Sequence, residues 1–415
     1  MFARLPGTEA FRYRDFRLYW GARFISALAT QIQGVAVGWW VYDLTGDPFA
    51  LGLVGLALFL PAVALALITG QVADRFDRRA ILLLCYSVAA LSAVGLLLLA
   101  RAGVREIGAI YAVVLLFGVT RAFANPAGQA IVPNLVPAWD LGNAIAWHAL
   151  SWQAATVLGP AIGGLLYVFG ALLVFGVIAL SYGLTFVLLA GIRHRLVQRA
   201  GDPVNWNSLL AGFHFIRSQP VVFGAISLDL FAVLLGGATA LLPIYASDIL
   251  RVGPEGLGLL RSAPAVGAVV MALWLAQRPL RRHTGRRLFQ AVAVFGLATI
   301  GFGLSNHLWL SLACLGILGA ADMVSVFIRQ TLVQLETPDA MRGRVAAVNT
   351  VFIGASNELG EFESGVLAGL IGTVPAVVLG GVGTLAVVAL WSRWFPPLRN
   401  RDRLTTTPAI PNLRP

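Results

Sequence analysis

The feature that most constrains this chain is a succession of twelve apolar runs, each roughly 18 to 27 residues long, separated by short polar segments. A helix of about 20 apolar residues spans the ~30 Å hydrocarbon core of a bilayer, and within lipid each backbone polar group must be bonded inside the protein. The runs therefore predict helices at 17–41, 49–69, 80–100, 107–129, 142–168 and 171–191, then at 221–247, 256–276, 288–305, 308–328, 345–371 and 373–395. Only 12% of the 415 residues are charged and 58% are hydrophobic, whereas a soluble chain carries about 25% charged residues. An all-α membrane protein with twelve transmembrane helices is the expected fold class.

The charge that remains is patterned. Lys+Arg number 30 and every one is arginine, giving a formal net charge of +11. They cluster in alternate loops: Arg4 to Arg17, Arg75 to Arg79, Arg193 to Arg217, Arg278 to Arg287, Arg342 with Arg344, and the segment after Phe395. The opposite loops hold only Arg101, Arg105 and Arg251. That is the positive-inside distribution, so both termini are expected in the cytoplasm of a multi-pass protein of the bacterial inner membrane. Bursts between apolar runs do not form a phosphate-binding face, and no nucleic-acid partner is expected. Cys85 and Cys314 lie in separate apolar runs, and His148, His194, His214, His283 and His307 lack ligand spacing, so neither a disulfide framework nor a metal site is expected.

The polar stretch 193–220 separates two blocks of six runs, giving an N-terminal bundle over 1–192, a cytoplasmic linker over 193–220, a C-terminal bundle over 221–395 and a disordered cytoplasmic tail over 396–415. The blocks resemble each other. Gln129 to Pro137 reads QAIVPNLVP and Gln330 to Pro338 reads QTLVQLETP, and the same offset of 201 residues aligns Gly142 with Gly343 and Gly164 with Gly365. Duplicated helical blocks are a transporter architecture, with the substrate site between the repeats near the midplane.

Three motifs carry a family resemblance. Gly70 to Arg79 reads GQVADRFDRR and resembles the signature loop of the major facilitator superfamily. Gly70, Ala73, Asp74, Arg75, Arg78, Arg79 and Leu82 match, while Asp77 replaces the usual glycine. The resemblance implies a conformational latch, with Gly70 permitting close helix contact and Asp74 pairing with the arginines. The mirrored loop, Arg278 to Arg287, keeps the arginines but lacks the aspartate. Helix 5 contains Gly159, Pro160, Gly163 and Gly164, which resemble the core of the superfamily's antiporter motif, although Ala146 and Ala155 stand where that motif has glycines. Pro160 bends a helix and the glycines let backbones approach; a generic kinked packing helix would read the same way. Arg121 resembles the buried arginine of a further motif, with Asn125 in place of a glycine. Asn125 to Asn143 and Thr337 to Val345 are similar to the exporter branch that contains siderophore (enterobactin-type) exporters and macrolide efflux pumps.

The resemblance implies two pseudo-symmetric six-helix bundles, a monomer working without a cofactor on a proton gradient, and export of a siderophore or drug. Facilitated uptake and lysolipid movement are alternatives on the same fold. A membrane-embedded enzyme lacks any acyltransferase, phosphotransferase, metalloprotease or ATP-binding motif here, and a transport-dead sensor would have lost its cavity charges.

Independently of resemblance, each ionisable group inside a span costs about 2.5 to 3.5 kcal/mol near the bilayer centre and should face a polar interior. The set is Arg23, Arg121, Asp229, Arg261, Asp322, Arg329, Glu358, Glu361 and Glu363, of which Arg261 and Arg329 are expected at helix ends, reaching headgroups. Arg23, Gln31, Arg121, Asn125 and Trp152 are the candidate cavity and substrate residues. Arg23, Ala27, Thr30, Gln31, Gly34 and Gly38 form one stripe of helix 1. Trp39 and Trp40 are expected as interfacial anchors. Glu361 and Asp322, then Asp229 and Glu358, are the candidate proton-coupling residues. Asp322 aligns with Arg121 through the same offset of 201 residues, which suggests that they pair across the bundles.

Overall fold

The computed structural model describes residues 7–193, 206–278, 282–338 and 341–402. The apolar runs form helices because nothing else bonds their backbone in lipid. Arg14–Thr45 (α1) is the first crossing, and Pro48–Ala64 (α2) with Ala66–Arg75 (α3) the second. Arg78–Arg101 (α4), Ile107–Ile131 (α5), Leu141–Tyr167 (α6) and Ala171–Ala190 (α7) complete six. Trp206–Ser218 (α8) precedes a seventh crossing made of Pro220–Leu235 (α9), Leu242–Ile244 (α10) and a π turn at Tyr245–Ile249. Gly253–Gln277 (α11), Thr284–Gly303 (α12), Leu308–Glu336 (α13), Arg342–Ile371 (α14) and Thr373–Trp394 (α15) complete twelve, and Pro396–Arg399 (α16) follows.

Among the described residues nine helices meet the length and apolarity of a membrane span unaided. The other crossings are the split α2–α3 and the charge-bearing α12 and α14. The split has a local cause. Asp47 caps α2 by accepting from the Phe49 N–H at 2.9 Å, Pro48 sits at the first helical position, and four residues after the internal Pro61 the helix gives way at Leu65.

In the first half α1 packs on α6 and α7, α4 on α5 and α7, and α2 on α5. In the second, α11 and α12 pack on α13, α12 on α15, and α9 on α14 and α15. The halves meet mainly through two crossings, α2 with α14 and α6 with α11. These are equivalent pairs under the internal repeat. A Cβ on Gly164 would lie 2.3 Å from the Pro254 carbonyl oxygen, and one on Gly365 would lie 2.7 Å from Gly52 Cα and 3.0 Å from the Pro48 carbonyl oxygen. Only glycine allows backbones this close. The receiving helices share a Pro-x-x-x-Gly start, Pro48 to Gly52 and Pro254 to Gly258.

Twelve crossings put both ends of the described chain on one side, the terminal end. At the far end Val35, Trp40, Phe175, Leu241, Tyr245 and Phe302 belong to one buried cluster shared by both bundles. At the terminal end the buried clusters are separate, one built from residues of the first half and two from the second. The bundles are thus sealed together at the far end and part toward the terminal end. Trp40, expected as an interfacial anchor, is instead buried at 6% exposure against the Phe175 ring, and Trp39 packs edge-on against Tyr167.

Both ends of the described chain are strapped down. The Asn143 side chain accepts from the Ala10 N–H and donates to the Gly7 carbonyl, which also receives Trp147 Nε1–H. Residues 396–402, the start of the 396–415 segment expected to be disordered, cap α12: the Thr284 and Gly285 N–H groups donate to the carbonyls of Asp402 and Arg401, and Arg401 pairs with Glu336. Residues 403–415 lie outside the described residues, as do 194–205 of the expected linker.

Candidate functional site

Midway across the bundles lies a layer of charge. Arg121 on α5 pairs with Glu358 on α14 at 3.2 Å, bridging the two halves. Arg261 on α11 lies within electrostatic reach of Glu358 and Glu361, and its Nη1 would be 3.1 Å from a Cβ on Gly34 of α1. The Glu361 carboxylate lies equally close, 3.1 Å, to a Cβ position on Gly55 of α2. Glycines of the first bundle thus make room for charged side chains of the second. Two arginines face two glutamates, so the layer is balanced. It is also reachable: the Arg121 side chain is 44% exposed, and Asn125, one turn along the same face, is exposed.

The expectation that Arg261 reaches headgroups is therefore overturned, and the same holds for Arg329. α13 continues to Glu336, well past the end of the apolar run at 328, which places Arg329 inside the bundle. Arg329 is 3% exposed and bonds Asp229 at 3.0 Å. Asp322 lies beside that pair. The expected cross-bundle pairing of Asp322 with Arg121 gives way to these partners: Arg121 takes Glu358, and Asp322 sits with Asp229 and Arg329.

On the first bundle, the Arg23 guanidinium lies 5.2 Å from the Trp152 ring centroid, a cation–π distance. Its Nε has no hydrogen-bond partner among the described residues. Tyr19 stacks on His148 close by and donates to the Gly128 carbonyl. The α1 stripe divides. Thr30 bonds Tyr182, Gln31 donates to Thr156 of α6, Gly34 faces Arg261, and Gly38 faces Pro243. Gln31 also fits against Gly159, where an added Cβ would lie 2.4 Å from Gln31 Cβ, and a Cβ on Gly163 would lie 3.0 Å from Ile32 Cα. Gly159, Gly163 and Gly164 therefore serve close packing, the first two within the bundle and the third across the interface.

Arg78 and Arg79 of the signature loop bond within the first bundle in this conformation. Arg78 donates to the Ala130 carbonyl at 2.7 Å and to Asn134, and Arg79 donates to the carbonyls of Leu189 and Ala190 at the end of α7. Their positive charge also complements the negative end of that helix. A Cβ on Gly70 would meet no described atom within 4 Å, so the close contact expected there is not made in this conformation. Arg75 is exposed, and the Asp74 side chain lies outside the described set. Glu363 is half-buried on α14 beside Ser364.

A family model described as transmembrane secretion effector matches residues 7–411. The chain belongs to that family. Its relatives include the enterobactin exporter EntS of Shigella boydii serotype 4, 29% identical over 387 residues and covering 90% of each chain. The enterobactin exporter of Citrobacter koseri is 28% identical over 413 residues, covering 96% of this chain and 95% of its own. Among solved structures, a bacterial homologue of the lysosomal transporter Spinster aligns over 95% of this chain and 98% of its own, with TM-score 0.71 and 14% identity. A bacterial homologue of ferroportin aligns over 94% of this chain and 99% of its own, with TM-score 0.69 and 16% identity. This family member is thus a major facilitator transporter of twelve helices in two pseudo-symmetric bundles. It is a multi-pass membrane transporter and not an enzyme.

Proposed function

We propose that this transporter exports a small organic compound of the siderophore or drug class from the cytoplasm in exchange for protons, acting as a monomer in the bacterial inner membrane. The observation that carries the reading is the balanced charge layer of Arg121, Arg261, Glu358 and Glu361, which lies between the bundles, opens toward the arginine-rich terminal end and is sealed at the far end. With that end cytoplasmic, the cleft stands ready to load from inside. Both relatives named above are enterobactin exporters over 90% or more of this chain, which supports the direction. The boundaries 1–192, 193–220, 221–395 and 396–415 serve as first bundle, linker, second bundle and tail.

In this reading Arg23 with Trp152 offers a cation backed by an aromatic face, and Gln31 and Asn125 add hydrogen-bonding groups on the first-bundle side. Gly70, Asp74, Arg75, Arg78 and Arg79 form the latch for the state closed at the cytoplasmic end. Gly159, Pro160, Gly163 and Gly164 shape α6. Accumulation of enterobactin and of erythromycin is measured in a strain lacking this protein, with and without it restored, before and after a proton uncoupler. Restored protein should lower internal levels of at least one probe, and the uncoupler should abolish that difference. Equal levels in all arms refute export; an uncoupler-resistant difference refutes proton coupling.

A further inference from the structure

Arg23 carries a permanent charge more than two turns into α1. The carboxylates of the first half lie at or near helix ends. Of those at the terminal end, Asp15 is taken by Arg14 and Asp140 by the Tyr13 hydroxyl. Among the described residues none pairs with Arg23. Trp152 gives the guanidinium an aromatic face at 5.2 Å, which attracts a cation without neutralising it. His148, stacked on Tyr19, brings no negative charge either. Arg23 also lines a cavity of about 10 Å³ within the first bundle, enclosed by Tyr19 of α1, Leu82 and Tyr86 of α4, Gly128 of α5 and Leu189 of α7. The two tyrosine hydroxyls already donate, to the Gly128 carbonyl and to Ser26. Arg23 Nε is buried and has no hydrogen-bond partner among the described residues.

The second bundle holds the equivalent cavity. Asp229 and Val292, on its wall, follow Arg23 and Tyr86 by 206 residues, while Ser325 and Arg329 follow Ala124 and Gly128 by 201. There the guanidinium is compensated by the protein itself, because Asp229 bonds Arg329 at 3.0 Å and Asp322 lines the same cavity. In the first bundle the equivalent chamber has a guanidinium and no carboxylate. Arg121, which stands where Asp322 does in the repeat, is another cation and turns to Glu358.

We propose that the first-bundle chamber is a halide site, in which a chloride ion serves as the counter-ion of Arg23. The volume sets the class of guest: room for one particle of about water size admits a halide and excludes an organic anion. The charge sets its sign, since an enclosed cation calls for an opposite charge. A water molecule would meet the Nε–H donor but leave that charge uncompensated. The ion is a resident of the bundle and not the exported compound, so the site stands apart from the proton-exchange reading.

The test uses purified full-length protein and no transported compound. The thermal midpoint is followed at constant pH and ionic strength as gluconate is replaced by chloride or bromide, and the chloride NMR line width is followed as bromide is added. In wild type, either halide should raise the midpoint saturably by about 2 °C or more, and bromide should narrow a chloride line that the protein has broadened. Arg23→Gln should lose both responses, Arg23→Lys should keep part of them, and Arg121→Gln should keep them in full. A wild type indifferent to halide, or equal responses in wild type and Arg23→Gln, overturns the site and leaves the chamber to water. If Arg23→Gln does not fold, Gly128→Ala decides. Its new Cβ would lie 3.5 Å from the Tyr19 hydroxyl oxygen, an ordinary contact, so the fold is kept while the chamber loses volume. Halide binding should then weaken about fivefold or more, and unchanged affinity in that variant overturns the proposal.

Discussion

Replacement of Gly164 by alanine puts one methyl group where the two bundles cross. Its Cβ would lie 2.3 Å from the Pro254 carbonyl oxygen, 2.9 Å from Gly258 Cα and 3.0 Å from Gly258 N, all backbone atoms with no rotamer to yield. An ordinary contact begins near 3.4 Å, so α6 and α11 must separate by roughly 1 Å at this point. Overpacking of this kind costs about 1 to 3 kcal/mol. Because the strain acts on the sealed far end, it should shift the balance about 5- to 150-fold toward the state open there. Spin labels at Phe169 and Arg251, in a background without Cys85 and Cys314, report the separation of the flanking loops by pulsed dipolar spectroscopy. The distance distribution should move outward and flux should fall in proportion to the lost terminal-open population. Gly183→Ala is the control, since a Cβ there meets nothing within 4 Å. Unchanged distances and flux in Gly164→Ala would refute the idea that glycine-mediated crossings set the seal.

Arg79→Ala removes two bonds to the carbonyls that end α7; it should cost about 1 to 2 kcal/mol and lower the thermal midpoint in detergent by a few degrees, and an unchanged midpoint would leave Arg79 with no stapling role. The Arg121 and Glu358 pair is 44% and 15% exposed, so its static worth is only about 0 to 1 kcal/mol, yet each single charge reversal should sharply reduce transport. The combined Arg121→Glu and Glu358→Arg exchange should restore part of it, and a double variant no better than the singles argues against a direct pairing in the working cycle. Single cysteines at Arg282 and Asn400 should resist an impermeant thiol reagent in intact cells and react in inside-out vesicles; labelling from outside would invert the orientation.

The twelve crossings were legible because each is a long apolar run, and lipid leaves such a run one backbone solution. The positions of Gly164 and Gly365 were legible too, through the offset of 201 residues, and the structure gives them equivalent contacts. The matching Pro-x-x-x-Gly starts of α2 and α11 do not show in that register because their offset is 206 residues, from Gly52 to Gly258. Arg329 was misplaced for a different reason. Hydropathy marks where apolar residues stop, at 328, but α13 continues eight residues to Glu336, packed against helices of its own bundle. Its partner Asp229 is 100 residues earlier in the chain, and no local pattern encodes which of several buried charges will meet. The repeat aligns Arg121 with Asp322, but their contacts follow from the side chains facing each one, which the repeat does not preserve.

The clasp between residues 401–402 and the start of α12 turns part of an open chain into a closed ring. From Thr284 the backbone runs through α12, α13, α14 and α15 and returns, so that its far end bonds the N–H groups of Thr284 and Gly285. A pulling force on the carboxyl terminus would therefore meet this clasp before any crossing helix. In single-molecule extraction from the membrane the first event should be a short release at low force, followed by removal of α15, and cutting the chain before Arg401 should erase that first event alone. While the clasp holds, a load on the tail is shared between α15 and α12, as in a belt buckled to itself.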